Sequence, residues 1–169
     1  FYVISGTTET LTDNQLGSST TSRVPKYGSN VAIMNFNYTG VSGTTISGSD
    51  LTSNNVNAIK QTMTIQNSDV DPTDGKAHIR FVALPVLENP NHYAHEQPYF
   101  FIQISNITQS NTVLFSTFKY ADQPGVPWQS GSGNWQYTDW QYIDVAPGNT
   151  LLAVGDQVEL EVIVAACTR

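Results

Sequence analysis

The sequence predicts an all-β protein: an antiparallel β-sandwich of jelly-roll-like topology, with roughly eight strands by the usual size of such folds. Short segments rich in alternating or β-branched apolar residues recur along the 169-residue chain. Turn-forming sequences such as DPTDGK, QPGVP, SGSGN and APGN separate them. No window of about eleven residues holds the 3.6-residue period of an amphipathic helix. An immunoglobulin-like sandwich is the alternative within this class.

The predicted strands share an alternation of apolar and polar residues, or a run of β-branched and aromatic ones. They cover residues 31–38, 57–66, 77–87, 99–105, 112–118 and 157–166. In the second segment Ile59 and Met63 alternate with polar residues, and Val158 and Leu160 do so in the last. Alternation with a period of two is typical of a sheet with one buried and one solvent-exposed face.

A short repeat, WQYTD followed at once by WQYID, places Trp135 and Trp140 five residues apart. Five is an odd number, so a continuous extended strand would direct these two side chains to opposite faces. On that hypothesis Trp135 shares a face with Tyr137 and Ile143. One tryptophan then fills the core and the other is presented to a partner or covered by a loop.

Length and composition favour a single domain spanning residues 1–169, either alone or as one module of a larger surface protein. Only 12% of residues are charged, so neutral polar side chains supply the solubility, as is typical of extracellular β proteins. The net charge is −7 and the basic residues are scattered. A basic stripe is therefore absent from the sequence, which argues against nucleic acid or an anionic membrane as a partner.

The single cysteine, Cys167, excludes an internal disulfide, and we expect it to be buried. The sequence has no apolar run of the roughly 20 residues that a membrane-spanning helix needs. A chain that begins at Phe1 is expected to have been processed from a longer precursor. Together with the composition, this predicts a secreted or cell-surface location.

The stretch LENPNHYAHEQPYFF holds four candidate metal ligands: Glu88, His92, His95 and Glu96. A zinc protease of the HExxH type needs its two histidines on one helix. Here the order is H-x-x-H-E, and Pro90 and Pro98 flank a segment too short to form that helix. A looser metal site on a loop stays open as an alternative. The preferred interpretation is a structured connection between two strands.

The stretch DVDPTDG spaces Asp69, Asp71 and Asp74 as in some calcium loops, without the positions of an EF-hand. Pro72 and Gly75 also make it a strong turn sequence. The turn is the preferred interpretation. Calcium remains possible, and no other cofactor is expected.

Pairs of carboxylates are candidates for a catalytic site, because glycosidases use two of them. Glu88 with Glu96 is one candidate pair, and Asp139 with Asp144 is another. The second pair falls on opposite faces of one extended strand, and the chain has no G-x-S-x-G nucleophile elbow. We predict that the protein is not an enzyme, with a hydrolase using Glu88 and Glu96 as the weakest hypothesis.

Aromatic residues beside Asn, Gln and Asp are candidates for stacking on sugar rings. They are Tyr93, Trp128, Trp135, Trp140 and Tyr142, with Tyr99 and Tyr137 nearby. The alternative is that many of them fill the sandwich core. Two N-x-T glycosylation sequences, at Asn37 and Asn106, are of a kind that arises by chance in a chain rich in Ser, Thr and Asn.

The strings FVALPVLENPNHYAHEQPYFFIQI, GVPW, YTDWQYIDV and GDQVELEVIVAAC resemble a β-sandwich module of large bacterial surface and adhesin-like proteins. The resemblance covers about residues 76–167, and L-E-N-P-x-H with E-Q-P-Y-F is its most specific part. It implies a non-catalytic module on the cell surface. The motif residues it marks are Glu88, Asn89, His92, Gln97 and Pro98. With His95 and Glu96 of the same loop, they are the candidates for holding the loop's shape or contacting a partner.

Modules of this kind typically continue after the cysteine with a Gly-Gly-His segment and a last strand, whereas this sequence stops at Arg169. A sandwich that lacks a strand has an open edge, which other copies or neighbouring modules can complete. The predicted function is therefore adhesion, or a structural subunit of a surface fibre. The alternative is a carbohydrate-binding module that uses tryptophan and tyrosine stacking.

Overall fold

The structure is a computed structural model that describes residues 2–5, 9–12, 21–24, 30–34, 38–39, 45–46, 56–131 and 133–166. Within these residues, helix is limited to single 3₁₀ turns at Asn67–Asp69 and Ala94–Glu96. The strands before residue 56 are β1 (Tyr2–Ser5), β2 (Glu9–Thr12), β3 (Thr21–Val24), β4 (Asn30–Ile33), β5 (Tyr38–Thr39) and β6 (Thr45–Ile46). Those from residue 56 onward are β7 (Val56–Thr64), β8 (Ile79–Ala83), β9 (Val86–Glu88), β10 (Tyr99–Asn106), β11 (Thr112–Tyr120), β12 (Gln129–Ser130), β13 (Trp135–Tyr137), β14 (Gln141–Val145) and β15 (Gln157–Ala165).

The strands from β7 to β15 are divided between two layers. One layer is a four-stranded antiparallel sheet in the order β11-β10-β15-β7. In the other layer β8 pairs with β14, and β13 lies between β9 and β12. If β8 with β9, and β13 with β14, are each taken as one interrupted strand, seven strands result. The first pairs with the last, the second with the sixth and the third with the fourth, while the fifth, β12, adds to the edge of the sixth. This nesting is that of a jelly roll, and the predicted all-β antiparallel sandwich is confirmed.

The segment 77–87, predicted as one strand, is interrupted at Leu84 and Pro85. Proline cannot donate a backbone hydrogen bond to a ladder. The Pro85 carbonyl instead accepts a hydrogen bond from the Thr138 N–H at 3.3 Å. Ala83 pairs with Gln141, whereas Val86 pairs with Tyr137. Between these two pairs, the segment that joins β13 to β14 therefore has one residue more than the segment that joins β8 to β9.

This extra residue changes which side chains share a face. Trp135 pairs with Glu88, and Ile143 pairs with Phe81. Phe81 and Glu88 are an odd number of residues apart and lie on opposite faces. The prediction that Trp135 shares a face with Ile143 is therefore wrong, because it assumed one continuous strand.

The first six strands form three separate antiparallel pairs, β1 with β4, β2 with β3 and β5 with β6. The predicted strand 31–38 corresponds to β4 and the start of β5. Residues 35–37, including Asn37 of the first glycosylation sequence, lie outside the described residues. So does Cys167, whose burial stays a prediction.

The core lies between the two layers, and alternate residues of the facing strands point into it. Ile104 and Val158 of the four-stranded sheet are fully buried and pack with Ile79 and Val145 of the other layer. A second cluster contains Leu87, Phe100, Ile102 and Ala121. Each large apolar side chain buried in this way contributes about 1.5–3 kcal/mol.

A buried polar network closes the end of the sandwich where β10 ends and β15 begins. Asn106 is completely buried, and its Nδ2 donates to Asp156 Oδ2 at 2.7 Å and to the Leu151 carbonyl at 2.9 Å. The same Asp156 oxygen accepts from the Ala153 N–H and from Gln109 Nε2. The Ala153 N–H and the Asn106 amide hold the pKa of the Asp156 carboxyl below its usual range. Asn106 is therefore a structural residue in the folded chain and no acceptor for a glycan.

Replacing Asn106 tests this network. Asn106→Leu keeps the side-chain volume but leaves the Asp156 carboxylate and the Leu151 carbonyl with one donor fewer. We expect the free energy of unfolding, measured in urea, to fall by about 3 kcal/mol. The matched control Gln61→Leu changes an exposed amide and should stay within about 0.5 kcal/mol. Equal effects of the two changes would contradict a stabilising role for the network.

Candidate functional site

The connection between β9 and β10 is folded around two amide side chains. Asn89 Oδ1 accepts hydrogen bonds from the Asn91 N–H and from Gln97 Nε2, each at 3.0 Å. Gln97 Nε2 also donates to the His92 carbonyl at 3.1 Å, and Gln97 is 7% exposed. Asn91 takes the left-handed conformation with φ 62°, which asparagine adopts more readily than most residues. The structured connection that the sequence predicts is present, and Asn89 and Gln97 hold it together.

The tip of this connection presents an aromatic pair. Tyr93 is 75% exposed and stacks on His95, with ring centroids 5.9 Å apart. Glu88 is exposed at the end of β9, while His92 and Glu96 are partly buried and interact within the protein. The histidine and glutamate side chains of the loop thus differ in exposure. In the part of the chain that the structure describes, no group of three or more His, Cys, Asp or Glu side chains is placed to hold a metal ion.

The three aspartates proposed for calcium each contact different protein donors. Asp69 accepts a hydrogen bond from the Gln66 N–H at 2.7 Å, which fixes the start of the 3₁₀ turn. Asp71 accepts from the Thr73 N–H and hydroxyl, and from Arg80 Nη2 at 2.6 Å. Asp74 accepts from the Lys76 N–H at 3.0 Å. The calcium site stays a prediction, and these carboxylates already contact protein donors.

The turn that the same stretch predicts is formed. The Gly75 N–H donates to the Asp71 carbonyl at 2.8 Å, and Gly75 has φ 69°, a conformation that favours glycine. Val70 and Ala77 form an isolated antiparallel bridge at its base. DPTDG is thus the tip of a short hairpin that leads into β8.

A charge cluster links this hairpin to β14. His78 lies between two carboxylates, with Nδ1 at 2.7 Å from Asp144 Oδ1 and Nε2 at 3.2 Å from Asp74 Oδ2. Arg80 joins Asp144, through Nε at 3.1 Å, to Asp71. His78 and Arg80 were not among the site residues predicted from the sequence. Their spacing of two, directly after an acidic turn, was the available signal, because it places both on one face of a strand.

These contacts favour the charged forms of His78, Asp71 and Asp144. The hydrogen bonds to Asp144 and Asp74 raise the pKa of His78. Hydrogen bonds from Thr73 and Arg80 lower the pKa of Asp71 far below its usual range. Burial raises the pKa of Asp144, but the hydrogen bonds from His78 and Arg80 outweigh it, so that this pKa is lowered overall. Each charge faces an opposite one, so the cluster fixes the hairpin against β14.

Two of the predicted sugar-stacking residues meet at one depression of about 360 Å³. Its lining combines two tryptophans with polar side chains: Pro127, Trp128, Gln129, Thr138, Asp139, Trp140 and Gln141. The indole N–H groups of Trp128 and Trp140 are buried and have no hydrogen-bond acceptor among the described residues. Buried donors without acceptors are rare in folded proteins and often mark a site for a ligand or an ordered water.

The other predicted aromatic residues lie elsewhere. Trp135 is partly buried opposite Glu88, and Tyr142 is 58% exposed on β14. Tyr93 is on the loop between β9 and β10. Of the carboxylate pair Asp139 and Asp144, the first lines the depression, and the second belongs to the charge cluster.

No family model, no curated protein sequence and no solved structure matches this chain. The resemblance to modules of bacterial surface proteins therefore stays a prediction that rests on the motifs alone. Over the described residues, no helix has the length and apolar character required to traverse a membrane.

The charge cluster predicts a pH-dependent stability. A histidine with a raised pKa stabilises the fold fully below its ordinary pKa of about 6.5, and that contribution disappears as the pH rises through the raised value. We expect His78→Gln to lower the melting temperature clearly at about pH 5.5 and much less at about pH 8.5. The control His95→Gln, on the exposed loop, should have little effect at either pH. A melting-temperature difference for His78→Gln that does not change with pH would show that the imidazolium form does not stabilise the fold.

Proposed function

We propose that this chain is a non-catalytic extracellular module of a bacterial surface, and that it is a structural subunit joined to its neighbours by strand addition at an open sheet edge. The observation that carries this proposal is strand β7. It has nine residues and pairs only with β15 among the described strands. An edge strand of this length offers a row of backbone donors and acceptors to another chain.

β7 is also exposed on both of its faces. Only Ile59 and Met63 are partly buried, while Val56 is 60% exposed. Strands at the edges of monomeric proteins are commonly protected by bulges, prolines or unpaired lysines. The register of β7 against β15 runs without a bulge from Val56 to Thr64. Its one lysine, Lys60, is held by Glu159 and Glu161 at 3.0 and 3.2 Å.

The second layer also ends in edge strands. β8 pairs only with β14, and β9 only with β13, among the described strands. β7 and β8 are consecutive, and Ile65 and Ile79 at the two ends of their connection share one core cluster. Each layer therefore has an edge at which a neighbouring module can add a strand, which supports the proposal.

A non-catalytic role is supported by how the titratable groups of the charge cluster are used. Asp144 binds both His78 and Arg80, and Asp71 binds Arg80 and Thr73. Each of these groups has a structural partner. The low content of charged residues supports the extracellular location.

A second candidate function is carbohydrate binding at the depression between Trp128 and Trp140. The two indoles offer apolar area for a sugar ring, and Gln129, Asp139 and Gln141 supply hydrogen-bonding groups around it. This function is compatible with the first, because an adhesive module needs both an attachment to its neighbours and a ligand site.

Strand addition predicts self-association that depends on the edge of β7. Consecutive backbone N–H groups of a strand point to opposite sides. Of the two single variants Gln61→Pro and Thr62→Pro, one therefore loses an N–H that faces β15, and the other loses an N–H that faces outward. We expect the variant that keeps the melting temperature to lose concentration-dependent assembly in sedimentation velocity and filaments in electron micrographs. A native chain that sediments as a monomer at high concentration would contradict the assembly role.

Carbohydrate binding predicts a signal on a glycan array that depends on the depression. Trp140→Ala removes a stacking surface, which weakens binding of the selected glycan about tenfold for a contact of about 1.4 kcal/mol. The control Tyr93→Ala removes an exposed aromatic ring outside the depression and should leave the affinity unchanged. If the native chain gives no signal, or if Trp140→Ala binds as well as the native chain, this function is ruled out.

A further inference from the structure

The depression between Trp128 and Trp140 is bordered by the rings of these two residues and not by their N–H groups. Both tryptophans line it and are partly buried, whereas both Nε1 atoms are buried. The parts of the two rings that border the depression are therefore carbon. Aromatic carbon packs well on the C–H face of a sugar ring, and the negative face of an aromatic ring also attracts a cation.

Several other hydrogen-bond donors around the depression are already used within the protein. The Thr138 N–H donates to the Pro85 carbonyl at 3.3 Å, and the Thr138 hydroxyl donates to the Asp139 carbonyl at 3.0 Å. Gln141 Nε2 donates to Thr138 Oγ1 at 2.9 Å. Pro127 has no N–H to donate. An anionic ligand, which needs donors from the protein, therefore finds few of them in this lining.

Asp139 gives the lining of the depression a negative charge. It is exposed, and among the described residues it forms no ion pair, in contrast to Asp144, which binds Arg80. The lining contains no lysine, arginine or histidine. Lys119 contacts Gln141 from outside the lining, through a hydrogen bond of 2.7 Å to Gln141 Oε1. The one charged residue of the lining is thus an acid, which attracts a cation and repels an anion.

We propose that the ligand of this depression is an amino sugar with a free ammonium group. The proposal rests on the carbohydrate-binding function given above and names the class of sugar. The rings of Trp128 and Trp140 pack on the C–H face of the sugar, and the Asp139 carboxylate accepts a hydrogen bond from the ammonium group. The volume of about 360 Å³ is at the small end of ligand sites, which suits one sugar ring. Acidic sugars are disfavoured because their carboxylates would lie beside Asp139.

Two oligosaccharides that differ only at the nitrogen atoms test this class of ligand. A β-1,4-linked glucosamine tetramer carries ammonium groups at about pH 6, where primary amines are protonated, and its N-acetylated form carries none. The full chain is titrated with each tetramer in a calorimeter. We expect the glucosamine tetramer to bind at least about tenfold more tightly, because only its ammonium group forms a charged hydrogen bond with Asp139 and a cation–π contact with an indole.

Substitutions separate this site from the net charge of −7, which attracts any polycation. Asp139→Asn should weaken binding of the glucosamine tetramer about tenfold and leave binding of the N-acetylated tetramer unchanged. Asp139→Glu keeps the charge and should retain most of the affinity. The control Glu88→Gln removes an exposed carboxylate outside the lining and should have little effect. Melting temperatures equal to that of the native chain report that the variants are folded.

Three results would overturn the proposal, and they differ in what they leave of the carbohydrate-binding function. Equal affinities for the two tetramers, or equal effects of Asp139→Asn and Glu88→Gln, would overturn it and leave carbohydrate binding in place. Tetralysine that binds as tightly as the glucosamine tetramer, with the same dependence on Asp139, would overturn it in favour of a cationic peptide. If neither tetramer binds, the proposal is wrong; a glycan-array signal from another sugar then retains carbohydrate binding, and a blank array removes both.

Discussion

The antiparallel ladders on both sides of β15 are the interaction on which the rest of this structure depends. β15 pairs with β10 and with β7 along its whole length, without a bulge in either register. Because these registers are regular, every second residue of three neighbouring strands falls on the same face. Val158 and Ile104 are thereby buried together in the core, and Ile163 and Phe101 lie side by side on the outer face. The same ladder makes β7 an edge strand.

The two ends of the sandwich differ in character. At the end where β10 finishes, Asn106 and Asp156 form a buried network, and His78 and Arg80 bind aspartates from the adjoining hairpin and from β14. Buried and paired polar groups of this kind fix one arrangement of the connecting loops. At the end where β10 begins lies the loop with the exposed Tyr93. Exposed apolar side chains are nevertheless present at both ends, since Leu151 and Val154, beside the Asn106–Asp156 network, are 44% and 47% exposed.

The prediction from sequence succeeded where local chemistry and burial agree. β7, β10, β11 and β15 were predicted within two residues at either end, because their alternating or β-branched apolar residues match the dry face of the sheet. The stretch DPTDG was predicted as a turn from Pro72 and Gly75, and the turn is formed. The structured loop around Asn89 and Gln97 was also foreseen, although the residues that hold it together were identified only by their hydrogen bonds.

What the sequence determined by itself was the class of fold and the position of its long strands, because a period of two along the chain already decides which residues one layer must bury. The tertiary structure alone decided the faces of Trp135 and Ile143, the meeting of Trp128 with Trp140, and the joining of His78 to Asp144. These depend on one extra residue opposite Pro85 and on contacts between residues that are far apart in the chain. No local pattern encodes such contacts, since they form only when the two layers close over a common core.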